Sequence, residues 1–262
     1  MTTLPPDTIN RLVKDVKFLI KNPLDNEKIF YKHDENNILI GYALIIGPPN
    51  TPYENGNYLF KFNFPEDYPY SPPKVEYYTN DGTTRFNPNF YVNKYVCLSI
   101  LNTWKGESWT SCQSIYSVLM TLQTTLNENP LINEPGISLQ HKNVKIYNDI
   151  IKYKNVQYTI IEFIKFIVYN KIRENNLSEQ INKNLNNLEY LNIFNMFFDI
   201  ILKNFIDNFD KINEYLEDKI FDKKRIDCTT YSMSLSILDK KYFKDKLNKY
   251  KNLIEKYNLI DK

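Results

Sequence analysis

Between residues 27 and 78 the chain is a series of short runs rich in Ile, Tyr, Phe and Val, cut by Asp34-Glu35-Asn36-Asn37, by Gly47-Pro48-Pro49-Asn50 and by Pro65-Glu66-Asp67. Runs of that length between turn-forming residues read as strands. Short turns between successive strands imply an antiparallel meander. Ahead of it, Ile9, Leu12, Val13, Val16, Leu19 and Ile20 recur at helical spacing, with Asp7 placed to cap the first turn and Asn22-Pro23 ending the pattern.

Asn80 to Thr110 has little periodicity and carries Gly82, Asn87-Pro88-Asn89, Gly106 and both tryptophans, so it reads as a long irregular segment, a type that tends to carry function. Ile115, Val118, Leu119, Leu122 and Leu126 then mark a helix, with Thr110 or Ser111 as its expected cap and Asn129-Pro130 as its stop. From His141 the pattern is helical: Ile150, Ile151, Ile160, Phe163 and Ile167 supply apolar faces, and Leu191, Phe194, Phe197, Phe198, Ile201 and Phe205 restore the spacing further on. A polar, asparagine-rich stretch at about 170–188 reads as a linker or mobile loop, and Tyr242 to Ile260 as a lysine-rich final helix. The expected organisation is a first domain at 1–140 and a helical extension at 141–262.

With 262 residues, two such units are the natural expectation. Lys+Arg 33 against Asp+Glu 31 leaves +2, so no general electrostatic case for nucleic acid or membrane as the main partner exists. Cys97, Cys112 and Cys228 lie too far apart for a zinc cluster or a disulfide framework, so neither is expected. The start has no charged segment leading into an apolar one, and no apolar stretch nears the roughly 20 residues of a membrane span. A reducing cytoplasm is the expected setting, with the nucleus also open.

Helix, meander, irregular loop with one cysteine, helix is an order that becomes specific through four motifs. Gly47 to Gly56, Phe64 to Val75 with its prolines, Phe86-Asn87-Pro88-Asn89, and Val96-Cys97-Leu98-Ser99-Ile100-Leu101 resemble, in sequence order, motifs of the ubiquitin-conjugating enzymes. The similarity is greatest to larger members reading Asn-Pro-Asn-Phe, Cys-Leu-Ser-Ile-Leu, Trp and Asn-Glu-Pro-Gly, here Asn87 to Phe90, Cys97 to Leu101, Trp104 and Asn133 to Gly136. It covers residues 1–140 and weakens through about 165. It implies an α+β UBC-like fold: an N-terminal helix, a four-stranded antiparallel meander, an active-site loop and helices, followed here by a mostly α-helical C-terminal extension.

The resemblance also implies an activity. Cys97 would take the carboxyl terminus of ubiquitin or a ubiquitin-like modifier from an activating enzyme as a thioester, then pass it to a substrate lysine or a ligase. A thiolate suits this exchange because it is both a strong nucleophile and a tolerable leaving group. ATP would be used by the activating enzyme, and no bound cofactor is expected, since nothing resembles a glycine-rich phosphate loop. Asn89 matches the family's oxyanion asparagine. Asn87 replaces the commoner histidine, which puts loop stiffness in doubt rather than chemistry. Pro88, Trp104 and Trp109 complete the active-site loop, with Lys105-Gly106-Glu107-Ser108 as an insertion. The position that assists the incoming lysine falls on Asn133 by ungapped counting from Trp109 and on Glu134 with a one-residue shift. Arg11 and Lys14 resemble the basic helix face offered to the activating enzyme, and Tyr70, Ser111 and Cys112 the loops offered to a ligase. A non-catalytic module binding ubiquitin or a ligase on the same fold is the alternative, and Cys97 argues against it.

Overall fold

A computed structural model describes residues 4–174 and 186–260. The chain divides into two compact units, Met1–Thr51 with Tyr58–Val144, and Pro52–Asn57 with Lys145–Lys262.

In the first unit, α1 (Pro6–Lys21) begins with Pro5 at its cap, so Asp7 lies in the first turn rather than at the capping position. There its carboxylate still faces the positive end of the helix. The buried stripe is Thr8, Leu12, Asp15 and Leu19, spaced by four, three and four, whereas Ile9, Val13 and Ile20 fall outside it and are exposed. The apolar periodicity was therefore wider than the face that packs. Thr8 bonds the Glu66 carbonyl at 2.6 Å, and Tyr68 donates its hydroxyl to the buried Asp15 at 2.5 Å.

Strands β1 (Ile29–His33), β2 (Ile40–Ile46), β3 (Asn57–Asn63) and β4 (Lys74–Tyr77) make one sheet in sequence order, with β1–β2 and β3–β4 antiparallel. The inner strands carry the core: Ala43 to Ile46 and Tyr58 to Phe60 are sealed from solvent. Phe90 packs its ring against Phe60 at 5.2 Å and Tyr77 at 5.0 Å, which pins the irregular segment onto the sheet immediately after Asn89.

Helix α2 (Ile115–Thr125) is capped by Ser114, whose amide bonds Ser117 Oγ at 2.8 Å. Thr110 and Ser111, the expected caps, belong instead to a turn closed by Gln113, whose amide and side chain both bond Thr110. A serine three residues nearer the apolar run wins the position because it has a partner at the third helical residue.

In the second unit α3 (Asn143–Lys154), a π-helical segment (Asn155–Glu162) and α4 (Phe163–Glu174) follow without interruption. Then come a 3-10 segment (Asn186–Phe197), α5 (Phe198–Asp207), α6 (Phe209–Tyr215), a hairpin of β5 (Arg225–Cys228) and β6 (Met233–Ser236), and α7 (Lys240–Tyr257). Of the expected linker at about 170–188, residues 170–174 are the end of α4, where the buried Asn170 bonds Glu174 one turn on, and 186–188 open the 3-10 segment; residues 175–185 lie outside the described residues. The hairpin was not expected, because four-residue strands give too short an alternation to stand out. Helix α7 starts at Lys240 because Asp239 accepts the Lys241 amide at 2.7 Å, and it ends at left-handed Asn258. Rings make much of this core, including Phe166 against Phe198 and Tyr153 against Phe243.

Pro52–Asn57, the connection between β2 and β3 in the chain, is part of this unit. Asn155 donates to the Glu54 carbonyl at 2.8 Å, Asn57 to the Thr159 carbonyl at 2.7 Å, and Lys211 pairs with Glu54. A Cβ on Gly56 would lie 1.8 Å from Asn155 Oδ1, so only glycine fits against the π-helical segment.

Candidate active site

Cys97 lies in a loop folded back on itself. A 3-10 turn (Ser99–Leu101) and left-handed Asn102 reverse the chain, and Thr103 returns beside Val96 and Leu98. Thr103 Oγ1 accepts the Leu98 amide at 2.8 Å and lies 2.9 Å from the Val96 carbonyl and 3.0 Å from that of Leu98, either of which takes its single proton. The Thr103 carbonyl accepts the Cys97 thiol at 3.3 Å. Cys97 is only 6% exposed.

The Asn87-Pro88-Asn89 run grips the same loop from the other side. Asn87 is fully buried; its side chain donates to the Thr125 carbonyl at the end of α2 at 2.7 Å and accepts the Asn89 amide at 2.9 Å. The asparagine thus holds the loop through one donor and one acceptor. Asn89 Nδ2 donates to the Cys97 carbonyl at 2.8 Å, and the Cys97 amide returns a bond to the Asn89 carbonyl at 2.9 Å. The oxyanion candidate therefore holds the backbone of the nucleophile with one N–H of its side-chain amide, which leaves the second N–H as the donor for a developing oxyanion.

Two charges bear on the sulfur. Burial pushes the Cys97 thiol above its ordinary range; Arg85 pulls it down and Glu134 pushes it up. Arg85 is fixed by bonds to the carbonyls of Asn87 (3.1 Å) and Pro88 (2.6 Å) and lies over the Tyr91 ring. Asn133 and Glu134, alternatives by counting, are separated by the structure. Asn133 donates to the Thr125 carbonyl at 3.1 Å and accepts from Asn127 at 2.8 Å, so it is a post in the scaffold, while Glu134 is the neighbour whose charge reaches Cys97.

Of the remaining loop residues, Trp109 is buried and bonds the Pro69 carbonyl at 2.7 Å, and its amide is held by Asn102 at 2.8 Å; Trp104 is half exposed. Gly106 in the insertion, at φ 144°, packs against Ser99. Arg11, expected on an exposed basic face, is folded in: it pairs with Asp15 at 2.9 Å and donates to the carbonyls of Ser111 and Gln113. Its planar fork suits several acceptors at once, which a lysine does not. Lys14 is exposed as expected, Tyr70 is 70% exposed, and Cys112 presents an exposed thiol. Sequence reasoning missed Thr103 and Arg85. Arg85 carried a signal, being one of four arginines in a lysine-rich chain and two residues ahead of Asn87; Thr103 carried none, since threonine in a loop is ordinary.

The chain belongs to the ubiquitin-conjugating enzyme family: residues 11–158 match the family model described as ubiquitin-conjugating enzyme, and the first unit has the UBC fold. Among similar proteins, ubiquitin-conjugating enzyme E2 Z of Homo sapiens is 40% identical over 163 residues, 61% of this chain and 46% of that protein. The E2 Z of Xenopus tropicalis is 40% identical over 158 residues, 59% of this chain and 50% of that protein. The chain thus spans about half the length of these relatives. Among solved structures, human ubiquitin-conjugating enzyme E2 G1 is 30% identical with a TM-score of 0.42, over 48% of this chain and 98% of that one.

Proposed function

We propose that this chain is a ubiquitin-conjugating enzyme that accepts ubiquitin or a ubiquitin-like modifier on Cys97. Support comes above all from one observation: the only cysteine in the motif loop has its backbone held on both sides by Asn89, through the amide at 2.9 Å and the carbonyl at 2.8 Å. Such a grip fixes where the sulfur stands relative to an incoming carbonyl, and orientation supplies much of the acceleration of acyl transfer.

In the first step the Cys97 sulfur attacks the modifier's terminal carbonyl carbon on the activating enzyme; a new C–S bond forms and the activating enzyme's thiol departs. In the second a lysine amine attacks that carbon, and Cys97 leaves as thiolate. Glu134 assists this second step by orienting the amine and accepting the proton that it gives up on attack, and Asn89 stabilises the oxyanion with the amide N–H that does not bond the Cys97 carbonyl. ATP is consumed by the activating enzyme, and a ligase meets Tyr70 and the Ser111-Cys112 turn. Lys14 stays available to the activating enzyme. Three free cysteines, one of them exposed, suit a reducing cytoplasm.

Incubation with activating enzyme, ATP and a panel of modifiers tests the proposal. A thiol-sensitive adduct that vanishes in Cys97→Ala is expected; its absence from the wild-type chain, or its survival in the variant, refutes the reading.

A further inference from the structure

We infer that Thr103 is the positioning residue of the reactive cysteine: its side chain clamps the two ends of the Cys97 turn while its carbonyl holds the resting thiol. This rests on the proposed role of Cys97 and deepens it.

The geometry carries the inference. Thr103 closes a small ring with Leu98, its amide donating to the Leu98 carbonyl at 3.2 Å and its hydroxyl accepting the Leu98 amide at 2.8 Å. That hydroxyl also lies 2.9 Å from the Val96 carbonyl, so one oxygen ties together the residues immediately before and after Cys97. Backbone pairing at this turn is limited to an isolated bridge of Val96 to Phe90 and a few single bonds, and the Thr103 side chain adds the tie between its two ends. Once the hydroxyl fixes Thr103, its carbonyl is fixed too, and that carbonyl receives both the Cys97 thiol and the Tyr95 hydroxyl, each at 3.3 Å.

The consequence is a resting state in which the nucleophile is held as a proton donor. A hydrogen bond from the neutral thiol favours the protonated form, and burial of the sulfur acts in the same direction. Loading removes that proton and turns the sulfur from donor to bare acceptor, so the contact with the Thr103 carbonyl is lost when the thioester forms. Thr103 thus stabilises the free enzyme's thiol, limits its reaction with incidental electrophiles, and keeps the turn in the shape that presents the sulfur to a docked partner.

Thr103→Val removes the hydroxyl at nearly constant volume and Thr103→Ser restores it, and Thr103 is only partly buried, so both variants are suited to folding. Two measurements are made on the full chain. The first is the pH profile of Cys97 alkylation by iodoacetamide, read cysteine by cysteine by mass spectrometry, with buried Cys228 as the internal monitor of unfolding. The second is the rate of thioester formation. In Thr103→Val, alkylation at neutral pH is expected to rise several-fold with its midpoint shifted to lower pH, thioester formation is expected to fall several-fold, Cys228 is expected to stay unreactive, and Thr103→Ser is expected to return both readings to wild type. A Val variant with a wild-type alkylation profile, a Ser variant that behaves like Val, or Cys228 exposed in step with Cys97 would overturn the inference. Failure of the conjugation reading looks different, since the wild-type chain would form no thioester while the alkylation comparison still reports on Thr103.

Discussion

Cys97 feels one positive and one negative charge, Arg85 and Glu134, and the two act on its thiol in opposite directions. Because its thiol is held above the ordinary range, the thiolate fraction, and with it the loading rate, is expected to climb as pH rises from neutral toward 9. Glu134→Gln removes the charge that pushes the thiol up, so the climb should begin at lower pH; Arg85→Met removes the charge that pulls it down, so the climb should begin at higher pH. Loading rates measured across that pH range check both signs, and an unshifted Glu134→Gln profile would contradict an influence of the Glu134 charge on the sulfur. The same variant should discharge the thioester onto free lysine more slowly. Asn133→Ala should instead leave the pH dependence alone and lower stability by about 1–3 kcal/mol, because it strips a partner from Asn127 and from the Thr125 carbonyl. Counting along the sequence could not separate Asn133 from Glu134, since both precede the same turn; it is the Thr125 carbonyl at the end of α2 that takes up Asn133. Cys97, Asn89 and Asn87 were legible because their spacing encodes the loop, whereas Thr103 acts through backbone partners that no pattern of residue types reveals.

Among the elements, β1 carries the best-defined response to acid. His33 accepts the Tyr31 hydroxyl on Nδ1 at 2.7 Å and donates from Nε2 to the Ile38 carbonyl at 2.7 Å, so it is held neutral between one donor and one acceptor. Burial lowers its pKa, outweighing the Ile38 carbonyl and Asp34, which raise it. The folded value therefore lies below the unfolded one: the stabilisation is present above about pH 6.5, the unfolded range of histidine, and is lost as pH falls through the folded value, because the unfolded chain takes up the proton first. Thermal unfolding midpoints at pH 7.5 and 5.5 should differ less in His33→Gln than in wild type. Gly41 opposite His33 leaves the space that the Tyr31 hydroxyl fills, since a Cβ there would lie 2.0 Å from it. The strands and α1 could be read from turn chemistry and periodicity, but the buried face of α1 could not. Asp15 belongs to that face through Tyr68 and Arg11, and a hydropathy pattern places a carboxylate outside.

For the whole molecule, the division of the chain into units departs from the division of the sequence. Pro52–Asn57 sits in a turn motif of the family, yet it is built into the helical unit, where Asn155, Thr159, Tyr215 and Asn204 are its hydrogen-bond partners. Nothing in the motif marks it as shared, because its glycine and asparagines read simply as a turn. Gly56→Ala should destabilise the second unit by about 1–3 kcal/mol through overpacking against Asn155 and Thr159, measurable as a lowered denaturant midpoint. A chain ending at residue 144 should be cut by protease within 52–57 far faster than the full chain, because those bonds have lost their partners. Equal cleavage rates would show that the segment holds its shape alone. A further consequence concerns synthesis on the ribosome. Glu54 emerges 101 residues before Asn155, whose side chain donates to its carbonyl. At about 5–20 residues per second, the segment waits on the order of 5–20 s before its hydrogen-bond donor exists. During that interval the nascent chain has a β2–β3 connection without its final partners, so the pace of translation past residue 155 bears on how the N-terminal part of the protein completes its folding.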